Sequence, residues 1–108
     1  MRRNGAKNIF VIDVKAEGYL AEIIEGHIHL KQEEMELIDR TISTYLHRGM
    51  MKTLRKLQKL NSDPLAFGEV FRVHYPLEWE WIDWKAIYQA AEIELTVKYE
   101  TKSYGVFR

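Results

Sequence analysis

The chain has 108 residues, enough for about one domain that buries roughly two thirds of the surface its unfolded form exposes. Sixteen Lys and Arg balance sixteen Asp and Glu, which argues against a general nucleic-acid binder. The absence of Cys excludes disulfides, Cys-based zinc sites and a thiol nucleophile from this chain, and 46% hydrophobic content is far too high for a disordered segment.

Arg2, Arg3, Asn4 and Gly5 precede an apolar run, Ile9 to Val14, that Asp13 interrupts and Lys15 and Glu17 end. The run is neither a signal-peptide core nor a membrane span. Its β-rich residues are apolar on both faces, which predicts a strand interior to a sheet with cover on either side. Ala16-Glu17-Gly18 supplies a turn, and Tyr19 to Leu30 reads as a second extended run with Gly26 as a bulge or break, so the two form a hairpin.

From Lys31 the period becomes helical. Met35, Ile38, Ile42, Tyr45, Leu46, Met50, Leu54, Leu57 and Leu60 share one broad stripe, with Gly49 on it marking a kink, a close backbone approach or plain packing. Glu33, Glu34 and Glu36 lie in the first turns and Arg48, Lys52, Arg55, Lys56 and Lys59 in the second half, the sense favoured by the helix macrodipole. Asn61-Ser62-Asp63-Pro64 ends this helix and starts another, with Asp63 as cap and Pro64 at the first helical position, running to about Val73. Pro76 breaks it, and Trp79 to Ala91 makes a third helix. Ile93, Leu95, Val97 and Tyr99 then alternate with Glu94, Thr96, Lys98 and Glu100, a strand with one buried face, which Tyr104 to Phe107 extends or returns. The order β-β-α-α-α-β predicts a single α+β domain over 1–108, with an antiparallel or mixed sheet of three to four strands, one long helix and two shorter ones.

Several groups invite a chemical reading. His27 and His29 share a face of a predicted strand with Glu25, so a metal-dependent enzyme is one hypothesis; two half-exposed strand histidines are the plainer reading. His47 and His74 stand alone. Glu22 with Glu25, or Glu33 with Glu34 and Glu36, would need one desolvated carboxyl for acid-base work, and the latter group is explained by the helix dipole. No phosphate-binding glycine loop, nucleophile elbow or His-Glu-x-x-His motif occurs. The basic residues from Arg48 to Lys59 form a ridge opposite the apolar stripe, either a merely solvated face, as most such ridges are, or a surface for a partner protein or anionic lipid head groups. Seven of the thirteen aromatics fall between Phe67 and Tyr88, mostly core, and of the neighbours Trp79 and Trp81 one is expected to be an exposed anchor.

The segment Asp63-Pro64-Leu65-Ala66-Phe67-Gly68-Glu69, then Arg72, Pro76, Trp79 and Trp84-Lys85-Ala86-Ile87-Tyr88, then the alternating strand and Gly105, resembles the C-terminal domain of the spore germination receptor C-subunit family, Ger(x)C. Three positions depart from the family pattern: Pro64 replaces an aliphatic residue, Ala66 stands where Gly is common, and Trp79 to Trp84 is a short spacing. The resemblance implies a non-enzymatic subunit of a nutrient germinant receptor in endospore-forming bacteria, without cofactor or metal and acting in receptor assembly or signalling. Such subunits are longer lipoproteins held at the outer face of the spore inner membrane beside two integral membrane subunits. This chain is accordingly expected to be the last domain of such a parent and itself soluble. The alternative is a small-ligand domain that senses germinant in a pocket between helices and sheet. Physically, Asp63 should cap a helix, Phe67 and Trp84 should bury aromatic area and Gly68 should allow close packing. The candidate interaction surface is Arg48, Lys52, Arg55, Lys56, Lys59 and Trp81.

Overall fold

The computed structural model describes residues 1–20 and 32–103. Strand β1 (Arg2–Asn4) pairs antiparallel with β2 (Lys7–Leu20) in the register Arg2↔Ile9, Arg3↔Asn8, Asn4↔Lys7. Gly5, with φ 60, supplies the positive φ that the primed two-residue hairpin turns require at their first loop position. Helix α1 (Gln32–Lys59) follows, then α2 (Phe67–His74), α3 (Pro76–Trp79), α4 (Trp84–Ala90) and β3 (Glu92–Ser103). The sheet is mixed, with β2 central in the order β1-β2-β3. The α+β class and the succession of strands, helices and final strand agree with the sequence expectation.

The boundaries differ instructively. The hairpin partner of β2 is the short β1, and Ala16-Glu17-Gly18 lies inside β2 rather than in a turn. Gly18 is needed for space: a Cβ there would overlap the Tyr99 hydroxyl. The second predicted run, beyond Leu20, lies outside the described residues, as do His27, His29, Glu22, Glu25 and Gly105. Cover on both faces of the first strand holds only at Ile9 and Phe10. From there the chain alternates, and Val11, Asp13 and Lys15 are exposed.

Two compact units make up the fold: Met1–Ile12 with Met50–Leu95, and Asp13–Gly49 with Thr96–Arg108. In the first, Ile9, Phe10, Leu54, Phe67, Phe71, Tyr88, Ile93 and Leu95 form the core. In the second, α1 and β3 are joined by side-chain to backbone bonds. The Tyr99 amide donates to Ser43 Oγ at 2.9 Å, and the Thr101 amide and hydroxyl donate to Asp39 Oδ1 at 2.9 and 2.6 Å. Four helical residues rise about 6 Å and two strand residues about 6.6 Å, so acceptors at i and i+4 on the helix match amides at i and i+2 on the strand. Two amides of a strand at the sheet's edge are thereby occupied.

Along α1, Leu54 is buried and Met35, Ile38, Ile42, Leu46, Met50 and Leu57 are half-buried, as the stripe predicts. Tyr45 and Leu60 depart from it and are exposed: Tyr45 lies at the stripe's margin and Leu60 beyond the last helical residue. Gly49 is exposed and a Cβ there would meet nothing within 4 Å, so close approach by another backbone is not its role. Asn61 closes the helix with φ 58. Its amide donates to Gln58 O at 3.0 Å and that of Ser62 to Leu57 O at 2.9 Å, the pair of bonds of a Schellman motif.

Helix α2 begins at Phe67, not at Pro64, because Ala66 is left-handed (φ 58, ψ 44) and a right-handed helix cannot pass through it. Pro64 instead occupies a turn closed by the Ala66 amide on Asp63 O at 3.2 Å. The predicted third helix is two: Pro76 opens α3 at its first turn, and extended backbone at Asp83 (φ −92, ψ 97) separates α3 from α4. The left-handed conformation also gives a physical reason for Gly at position 66. Ala66→Gly is expected to raise unfolding free energy by about 1 kcal/mol, since a left-handed Ala costs about 1–2 kcal/mol and part is returned through unfolded-state entropy. Chemical denaturation measures this, and an unchanged or lowered midpoint would refute the strain.

Candidate functional site

The motif residues Asp63, Phe67, Gly68, Trp84 and Tyr88 converge in the first unit. The Asp63 carboxylate accepts the Phe67 amide at Oδ1 (2.7 Å) and the Gly68 amide at Oδ2 (2.8 Å), so it satisfies two of the amides that the start of α2 leaves unpaired. It caps from four and five residues upstream rather than from the position next to the helix, because the turn at Pro64 folds it back. Gly68 brings the helix start against Trp84: a Cβ there would lie 3.1 Å from Trp84 Nε1 and 3.3 Å from Asp63 Oδ2.

Trp84 is the hub of the aromatic packing. It stacks on Tyr88, one turn later in α4, at 5.6 Å and 16°, meets Phe10 edge-on at 6.0 Å, and lies 5.8 Å from both Phe71 and Trp79. Phe67 in turn sits 4.8 Å from Phe10. Each such pair adds about 0.5–1.5 kcal/mol beyond simple burial. Trp84 is itself half-buried, whereas Phe67, Phe71 and Tyr88 are buried. The Tyr88 hydroxyl donates to Ser62 O at 2.6 Å, tying α4 to the exit of α1.

Gln58, part of the Leu57-Gln58-Lys59 helix end that also resembles the family but with no role evident from the sequence, completes this joint. Its buried amide donates to Tyr88 O at 3.0 Å and Ala91 O at 2.8 Å, satisfying carbonyls at the end of α4. A lone Gln in an otherwise cationic helix segment is the one signal the sequence carries for it. Among the described residues no buried side-chain nitrogen or oxygen lacks a hydrogen-bond partner, and the polar side-chain groups of Asp63, Gln58 and Tyr88 are bonded to backbone within the fold.

The other motif residues sit further out. Arg72 is exposed and pairs with Glu69 at 2.7 Å, which holds that carboxyl below its ordinary range through their hydrogen bond and charge. Trp79 packs on Phe71 and Trp84. Trp81 lies in the turn after α3 and is 88% exposed, so of the two it is the outward one. Val73 and Leu77 are also exposed. Nearby, Arg3 of β1 makes a two-pronged pair with Glu78, both bonds at 2.9 Å, and lies 3.8 Å over the Tyr75 ring. The hydrogen bond to Arg3 holds the Glu78 carboxyl below the usual glutamate range; desolvation opposes it, and the Coulombic attraction of Arg3 adds a lesser lowering.

The basic residues Arg48, Lys52, Arg55, Lys56 and Lys59 are all exposed. His47 is exposed, and His74 Nδ1 lies 2.9 Å from Val70 O at the end of α2. Glu33, Glu34 and Glu36 are exposed in the first turns of α1. A shallow open groove of about 410 Å³ runs between β2 and α4, lined by Ala86, Ile87, Ala90 and Ala91 with Lys7 and Asn8 at its polar side. Among the described residues no group of three or more His, Asp or Glu is placed to hold a metal ion, and no helix is long and apolar enough to cross a membrane.

Burial, and secondarily the Asp63 charge, push the Tyr88 phenol above its ordinary value. The neutral form is the one the fold favours, so its contribution is complete below about pH 10 and is lost as pH rises through the elevated folded value. Absorbance titration should show one tyrosine ionising later than the others, absent in Tyr88→Phe; a profile unaltered by that change would contradict the assignment.

No curated protein and no solved structure matches the chain. The family model for spore germination B3/GerAC-like proteins, C-terminal, matches residues 1–105, which include Asp63, Phe67, Gly68, Trp84 and Tyr88. Strand, helices, aromatic hub and final strand thus all lie within that match, and the chain belongs to the spore germination B3/GerAC-like C-terminal family, with a role in germinant receptor function.

Proposed function

We propose that this chain is a non-enzymatic domain of a nutrient germinant receptor subunit and acts in the assembly or signalling of the receptor during germination. In this reading it is the single C-terminal domain of a lipid-anchored parent at the outer face of the spore inner membrane, and its partners are the integral membrane subunits. The observation that carries the reading is the division of labour among the family residues. Asp63, Phe67, Gly68, Trp84 and Tyr88 spend their polar and aromatic groups on holding α1, α2 and α4 together. What remains available to a partner is surface, above all Trp81. A ligand pocket is less well supported, because the groove between β2 and α4 and the larger polar one of about 740 Å³ between α1 and β3, lined by Asp39, Arg40, Ser43, Lys98 and Glu100, are both open to solvent and enclose nothing.

Exposed Trp side chains are the residue type most enriched at the energetic centres of protein interfaces. In the receptor subunit carrying Trp81→Ala, recovery of the integral membrane subunits on co-purification should fall by about tenfold or more, corresponding to a loss of about 2 kcal/mol. The thermal midpoint of the domain should stay the same, since the ring is 88% exposed. Undiminished recovery would remove Trp81 as the anchor.

A further inference from the structure

We infer that the outer face of the last two turns of α1, formed by Lys52, Arg55, Lys56 and Lys59, docks flat on an anionic phospholipid surface. From Asp39 to Asp63 the chain contains six Lys and Arg and no intervening acidic residue. All four docking side chains are exposed. Among the described residues Arg2, Arg3, Lys7, Arg72 and Lys102 each meet a carboxylate, whereas these four do not, nor do the more scattered Lys15, Arg40, Arg48, Lys85 and Lys98; only on the last two turns of α1 do unpaired cations stand together on one face. The fold therefore leaves their charge unspent.

The spacing i, i+3, i+4, i+7 places the four on one side of the helix over about 10 Å, opposite Leu54 and Leu57, which face the interior. Lying on one side of the helix, all four can come within one Debye length of a planar anionic surface at once, about 8 Å at physiological salt, where its field is least screened. Three of the four are Lys, flexible point charges suited to a diffuse field of head groups rather than to two-pronged recognition of one acid. Leu60, exposed just past the helix end, adds an apolar side chain that can enter the head-group boundary. A duplex nucleic acid is the less favoured occupant, because the chain as a whole carries no net positive charge to support it.

This inference stands on charge distribution and goes beyond the assembly reading; it fails or survives independently of Trp81. The test is co-sedimentation of the chain with vesicles of phosphatidylcholine alone and of an equimolar mixture with phosphatidylglycerol. Binding is expected to the mixed vesicles only and to be abolished by molar salt. Replacing Lys52, Arg55, Lys56 and Lys59 by Gln should weaken partitioning about fivefold per cation, more than about a hundredfold together. Replacing the three Lys by Arg should retain it, which separates loss of charge from loss of fold. Equal binding to both vesicle types, no binding to either, or undiminished binding of the Gln variant would overturn the proposal. Salt-sensitive binding to duplex DNA without binding to vesicles would overturn it in favour of a nucleic acid.

Discussion

The carboxylate of Asp63 sets the joint on which the first unit depends. A Schellman turn at Asn61 ends α1, the chain reverses through Pro64, and Asp63 takes the first two amides of α2 on its two oxygens. Those amides have no partner within their own helix. Because the contact fixes where Gly68 lies, it also fixes how closely Trp84 can approach, and Trp84 determines the packing of Phe10, Phe71, Trp79 and Tyr88. The Tyr88 hydroxyl and the Gln58 amide close the loop by bonding back across the α1–α4 joint. Hydrogen bonding orders the chain ends, and aromatic burial makes the resulting arrangement stable.

This arrangement explains why family residues rich in aromatic and charged groups do not form a pocket. Their reactive-looking atoms are directed at backbone amides and carbonyls. The exposed surface includes an aromatic protrusion at Trp81, apolar side chains at Val73 and Leu77, and a cationic face on α1; we propose that the first meets a protein and the last an anionic surface.

Much of this was legible in the sequence where one local cause dominates. Alternation from Ile93 to Tyr99, the helical period from Met35 to Leu57 and the stop at Asn61 are each set by burial or by backbone conformation, and the structure agrees. The elements that were missed depend on distant partners. Gly18 reads as a turn residue but is required by the Tyr99 ring, which lies far away in the chain. β1 is three residues long, and beyond its pairing with β2 the carboxylates that anchor its arginines, Glu78 and Glu94, follow some 75 or more positions later. Gln58 looks like one more polar helix residue until the end of α4 arrives above it. The cap at Asp63 is legible, but its reach is not, because the left-handed Ala66 that delays the helix contradicts the local preference of Ala.

The central claim is that Asp63 and Trp84 act as one structural unit through Gly68. A double-mutant cycle with Asp63→Ala and Trp84→Ala, followed by chemical denaturation, tests it directly. Coupling of at least about 0.5 kcal/mol is predicted, because removing either side chain loosens the surface against which the other acts. Losses that add within about 0.3 kcal/mol would show that the cap and the aromatic hub are independent and would contradict the account.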